Sequence, residues 1–134
     1  VREWDERGFG KWVVRTRESP EILGYVGLAV PGFLPEVLPA IEVGWRLVPT
    51  AWGHGYATEG ASAALEAGFT VLGLETISAF IESANVASRA VAHRLAMTHV
   101  RDYVVPGNEH RAELVAECHV MTAATWRSLQ TSVS

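Results

Sequence analysis

Two glycines one residue apart, Gly53 and Gly55, stand in the turn Trp52-Gly53-His54-Gly55-Tyr56-Ala57, just ahead of a stretch with helical periodicity. This arrangement can hold an anion without a basic side chain. The first amides of a helix have no acceptor inside it, and the helix dipole adds roughly half a positive charge there. Glycine permits a sharp bend and lets a phosphate approach the bare backbone closely. Turns and caps use glycine for structural reasons too, so the pair alone does not separate a ligand site from a bend. Two further groups could act on a ligand held there. Glu42 falls on the strand face shared with Gly44, Arg46 and Val48, opposite Ile41, Val43, Trp45 and Leu47, where it is either a base or a solvated strand-end carboxylate. Ser88 follows Asn85, an N-cap residue type, by three positions, and is either a tolerated first-turn residue or a hydroxyl offered to a ligand.

The common nucleotide motifs do not fit. A dinucleotide fingerprint needs a third glycine where Thr58 stands, and a Walker loop needs Gly-Lys-Ser/Thr, which is absent. His54, His93, His99, His110 and His119 show no metal-ligand spacing with carboxylates or with Cys118, so no metal site is expected. His110 is a surface-loop histidine or a lining residue of an acceptor pocket. Cys118 has no partner for an intrachain disulfide and reads as a packed small hydrophobe. The 134 residues, 49% apolar and 19% charged, fit a single domain over residues 1–134. Eleven basic against fifteen acidic residues give a net charge of -4, and the basic ones are scattered, which argues against a nucleic-acid surface. The run Ile22 to Ile41 is broken by Pro31, Pro35, Glu36 and Pro39, so no membrane span is expected. With no secretion signal visible, the expected address is the cytoplasm.

The elements that must position these groups follow from periodicity. Arg2 to Arg7 reads as the last turns of a helix closed by Gly8. Strands are expected from Lys11, from Ile22 to Val30 after a Ser19-Pro20 turn, and from Ala40 to Val48 after a proline-rich loop. Ala61, Leu65, Phe69 and Leu72 then recur at helical spacing until Gly73. Thr76 to Glu82 alternates and should run parallel to the preceding strand, because a helix of this length makes the crossover. Asn85 caps a short helix with Ala87, Val91 and Leu95, two strands follow at Val100 to Val105 and Leu114 to Met121, and the tail from Gln130 is expected to fray. The sum is an α/β (α+β) fold, a mixed sheet with helices packed on it. Trp4, Trp12, Trp45 and Trp126 are expected in the core, with Trp52 beside the ligand.

Three blocks taken together carry a resemblance. The run from Val43 to Pro49, then Gly53-His54-Gly55-Tyr56-Ala57-Thr58-Glu59, then Asn85-Val86-Ala87-Ser88 resembles the GNAT N-acetyltransferases, and among them the RimJ/RimL-like branch that acetylates ribosomal-protein N-termini. It implies the GNAT-like acyl-CoA N-acyltransferase fold, here lacking the usual N-terminal strand and helix. Acetyl-CoA would lie where the strand ending at Val48 splays from Thr76 to Glu82, against Trp45, Arg46, Leu47 and Val48. Its pyrophosphate would rest on Trp52, Gly53, His54, Gly55, Tyr56, Ala57 and Thr58, with Asn85 and Ser88 alongside, and coenzyme A would leave as product. The family commonly has Gln or Arg where Thr50 stands, a contact this chain lacks. Ser88 matches the serine that protonates the departing thiolate, and Ala92 stands where many relatives carry a tyrosine. Glu42 matches a glutamate that acts as base; a strand rise of about 3.3 Å per residue sets it roughly 10 Å from the carbonyl site near Trp45, so it would work through water. Ala96 replaces a usual glycine, a departure expected to affect packing.

Deprotonating a lysine amine of pKa about 10.4 at pH 7 costs about 4.6 kcal/mol, against about 1.1 kcal/mol for a peptide α-amine near 7.8. A remote base suits the second, so the expected acceptor is a peptide N-terminus or a small amine of similar pKa. The alternative is a non-catalytic acyl-CoA-binding sensor, which would need neither Ser88 nor Glu42. A homodimer covering exposed strands is compatible with either reading.

Overall fold

The computed structural model describes residues 10–15 and 20–133. The helix expected over Arg2 to Arg7, Trp4 and the turn at Ser19 lie outside the described residues. Among the described residues six strands form one sheet: β1 Lys11–Val14, β2 Gly24–Ala29, β3 Glu42–Leu47, β4 Thr76–Glu82, β5 Thr98–Val105 and β6 Leu114–Thr122, in the order β1-β2-β3-β4-β6-β5. Helices α1 Tyr56–Thr70, α2 Val86–Arg94 and α3 Ala123–Val133 complete the mixed α/β fold. Among the described strands only β3 and β4 are parallel neighbours, joined through α1.

Alternation decides which face each strand buries. Val26, Leu28, Val43, Ile77, Ala79, Ile81 and Met121 point to one side, where α1 adds Ala61, Ala64, Leu65 and Phe69, α2 adds Ala92, and Ala123 and Trp126 of α3 close the layer. Trp12, Trp45 and Trp126 pack against this cluster, as expected from the sequence. On the opposite face the proline-rich loop folds back, seating Leu34 against Val105, Ala116, Phe80 and Tyr103. Cys118 is buried, and burial pushes its thiol pKa up, in keeping with a packing role.

Three local outcomes differ from the sequence reading. Helix α3 was not expected, although Thr122 announces it: its Oγ1 accepts from the Thr125 N–H at 3.2 Å, and Trp126 and Leu129 share the buried side. The helix spans Ala123–Val133. Second, Ala87 is exposed; α2 buries Val91, as expected, and Ala92 in place of Ala87. Third, Ala96 sits at φ 63, the left-handed region, so its departure from glycine strains the backbone. Ala96→Gly should therefore raise stability by about 0.5–1 kcal/mol, the relief of strain outweighing glycine's unfolded-state entropy. Chemical denaturation, with the midpoint moving up at constant slope, checks this. His99 and His119, which show no ligand spacing in the sequence, are brought side by side with rings stacked at 4.9 Å, next to Glu117.

No described helix is long and apolar enough to cross a membrane.

Candidate active site

β3 and β4 do not stay together. Their register holds one pair, Glu42 with Ser78, and the Ser78 N–H donates to the Ile41 carbonyl at 3.0 Å. Beyond that point the strands part, and a cleft of about 1460 Å³ opens between β3, β4, the start of α1 and α2. The Val48 N–H is bonded to the Leu23 carbonyl, on the β2 side. Backbone groups alternate along a strand, so those of Trp45 and Leu47 point the other way, toward the gap. The Leu47 carbonyl is met there by Trp52 Nε1 at 3.0 Å.

One end of the cleft is an uncapped helix start. Gly53 and Gly55 have φ 81 and 79, conformations that L side chains rarely adopt, and Gly55 is the α1 N-cap without a side-chain hydrogen bond. The first-turn amides of Tyr56, Ala57 and Thr58 therefore have no side-chain cap and line the cleft. Beside them Thr58 Oγ1 is buried without a hydrogen-bond partner among the described residues. A buried hydroxyl left unpaired costs about 1–3 kcal/mol, a deficit that an anion seated on these amides would remove. Trp52 presents an exposed indole at the same end.

Mid-cleft, Trp45 and Ser88 meet across the opening. The indole Nε1–H of Trp45 donates to Ser88 Oγ at 3.2 Å, and the Ser88 N–H donates to Asn85 Oδ1 at 3.0 Å, the N-cap bond of α2. Asn85 thus fixes the helix turn that carries Ser88, and Trp45 occupies an oxygen lone pair, leaving the hydroxyl proton free to be donated. Cap and ligand-facing hydroxyl are compatible in one residue.

Glu42 lines the other lobe, where its Oε1 stands 3.8 Å from the position a Cβ on Gly44 would take. Loss of hydration on burial raises its pKa from 4.5 to about 7, opposed in part by the charge of Lys11. Tyr25, Phe33 and Phe80 wall this lobe together with Lys11, whose ammonium lies 4.8 Å above the Tyr25 ring. These four were missed by sequence reasoning. Register supplies the reason for Lys11 and Tyr25: Lys11 pairs with Gly27, Gly27 with Gly44, and Tyr25 with Arg46, so one polar face gathers residues from three strands.

Of the sequence-predicted site residues, the cleft wall includes Glu42, Trp45, Arg46, Leu47, Trp52, Gly53, Gly55, Tyr56, Ala57, Thr58, Asn85 and Ser88. Val48 and His54 are not brought to it. Val48 is held toward β2, and the His54 ring stacks on Tyr56 with centroids 5.3 Å apart.

The description "Acetyltransferase (GNAT) domain" belongs to the family model matching residues 1–98. The uncharacterised protein YkkB of Bacillus subtilis is 34% identical over 105 residues, covering 72% of this chain and 60% of its own. An acetyltransferase crystal structure from Agrobacterium tumefaciens matches with TM-score 0.68 and 27% identity, over 90% of this chain and 65% of that one. The structure of yncA from Salmonella typhimurium, solved with its cofactor acetyl-CoA, shares the fold at TM-score 0.74 and 18% identity, over 91% of this chain and 69% of its own. The chain thus spans less than two thirds of the length of the curated relative and of the Agrobacterium structure.

Proposed function

This chain belongs to the GNAT acetyltransferase family, and on that premise we propose that it moves an acetyl group from acetyl-CoA to a primary amine by direct transfer. The observation that carries the reading is the parting of β3 from β4 beyond Glu42, which opens one cleft onto the uncapped amides, the Ser88 hydroxyl and the Glu42 carboxylate. Acetyl-CoA supplies the activated thioester. The amides of Tyr56, Ala57 and Thr58 hold its pyrophosphate, and the unpartnered Thr58 hydroxyl donates to the same group. The Trp45 N–H, aimed into the gap, polarises the thioester carbonyl. Glu42 takes the first proton of the acceptor ammonium through water; Ser88, its oxygen held by Trp45, passes its Oγ proton to the departing sulfur and recovers one, through solvent, from the nitrogen as that becomes the amide.

The raised pKa of Glu42 bears on the acceptor. Against an ordinary carboxylate, moving a proton from an α-ammonium near 7.8 is uphill by about 4.5 kcal/mol; against a base at about 7 it is uphill by only about 1 kcal/mol. A lysine ammonium remains about 4.6 kcal/mol uphill even then. We therefore assign the acceptor as a weakly basic amine, a peptide N-terminal α-amine first, which accords with the RimJ/RimL-like pattern of the three sequence blocks. The aromatic wall of Tyr25, Phe33 and Phe80 suits an apolar group next to that amine.

Ser88→Ala tests the scheme. Free-thiol release should fall about 10- to 100-fold while acetyl-CoA affinity by calorimetry stays within a few fold. Undiminished turnover, or lost affinity, would sink the assignment of Ser88. Cofactor binding with no turnover on peptide N-termini, polyamines or aminoglycosides would favour a sensor over an enzyme.

A further inference from the structure

At the far edge of the sheet, beneath α2, three metal-ligating side chains converge that the acetyl-transfer scheme does not use. Register sets His99 of β5 opposite His119 of β6, and Glu117 lies two residues before His119 on the same face. One ligand atom from each residue lies within 4.8 Å of the other two, so a single point sits within about 2.8 Å of all three. Shifts of less than about an ångström would bring them to the ~2.0–2.2 Å of zinc–nitrogen and zinc–oxygen bonds. His119 Nε2 is 2.9 Å and His99 Nδ1 is 3.9 Å from Glu117 Oε1. The side chains of Glu117 and His119 are 10% exposed and that of His99 44%, so the group is closed on the core side and open at the sheet edge.

Two neighbours prepare these atoms for a cation. Asp102 Oδ1 lies 2.6 Å from His99 Nε2, where it takes the Nε2–H and leaves the lone pair on Nδ1, the nitrogen turned to Glu117. A carboxylate behind the imidazole in this way is the arrangement that orients histidine ligands in metal sites. The contact exists because of a bulge. Positions three apart fall on opposite faces of a regular strand, and the register shift between His99 and Arg101 returns Asp102 to the face of Glu117. On the other side Arg89 Nε stands 3.4 Å from Glu117 Oε2, which occupies that oxygen and leaves Oε1 to bind singly.

We propose that His99, Glu117 and His119 form a site for a divalent transition metal, with zinc as the representative, leaving a fourth position to water. Two imidazoles and one carboxylate suit zinc and its neighbours and do not suit calcium or magnesium, which take oxygen ligands. Bound there, the ion ties edge strand β5 to β6 next to Arg89, the residue after Ser88. The proposal does not depend on the acetyltransferase reading.

Tag-free protein stripped with a chelator and titrated with Zn(II) by calorimetry should bind one equivalent at submicromolar dissociation constant, and Co(II) should give the visible absorption of a four-coordinate site. His99→Ala, at a half-exposed position, should weaken Zn(II) binding about 100-fold or more, and Asp102→Asn about 10- to 100-fold, with unchanged melting of the chelated proteins. His119→Gln provides the same test from β6, judged only if its circular dichroism matches the parent. Absent or millimolar binding, or binding that His99→Ala leaves intact, overturns the site and leaves a hydrogen-bonded ion network in its place.

Discussion

Replacing Glu42 by Gln is expected to lower kcat/KM by about 100-fold or more, the range found when a positioned base is removed. The pH profile discriminates further. With the carboxyl pKa raised to about 7, the parent's kcat/KM should climb through that pH as Glu42 loses its proton, and the Gln variant should lack that limb. Stability supplies an independent reading with a definite sign. Because the folded state holds this proton more tightly than the unfolded state does, the stabilisation is full below pH 4.5 and is lost as pH rises through about 7. The neutral Gln side chain escapes that loss, so the variant should gain on the parent between pH 5 and pH 8, by on the order of 2 kcal/mol once water access to the cleft is allowed for. Denaturant titrations at the two pH values check the gain. A profile unchanged by the substitution would show that the amine is deprotonated elsewhere.

Gly24→Ala should be among the most damaging small substitutions in the described sheet. Gly24 pairs with Leu47 at φ 150, and a Cβ there would meet the Arg46 carbonyl oxygen and stand 2.7 Å from Leu47 Cα. These are backbone atoms, which cannot rotate away. The loss should be about 3 kcal/mol, lowering the melting temperature by roughly 10 °C. Acetyl-CoA affinity should fall with it, because Arg46 and Leu47 form the β3 end that lines the cleft. Scanning calorimetry with and without acetyl-CoA measures both, and a variant melting within about 2 °C of the parent would contradict this account of the β2–β3 pairing.

How much of this was legible in the sequence depends on whether the signal was local. Gly53, Gly55 and Asn85 announce their conformations within four residues of chain, and the structure has the left-handed turn and the cap where they were read. The β4 boundaries, Thr76 and Glu82, follow from alternation alone. Helix α3 was missed because its cap is a threonine at the end of a long alternating strand, so the period changes without a glycine or proline to mark it. The Trp45 to Ser88 bond joins residues 43 apart, and the lobe gathers Lys11, Tyr25 and Phe80 from three strands and Phe33 from the proline-rich loop. No spacing rule carries such information. Nor does the sequence tell how far burial lifts Glu42, because that depends on everything packed around the carboxylate.

The single backbone pair between β3 and β4 makes the six strands behave as two plates fastened at Glu42 and Ser78. Amides at Trp45 and Leu47, turned into the gap, should trade their hydrogens with solvent deuterium far sooner than those of neighbouring Arg46, which face β2. Whatever fills the gap will slow that trade. Isotope uptake at these two positions therefore reports directly whether the thioester end of the cofactor is seated, and a mass shift can show cofactor loading before any acceptor is known.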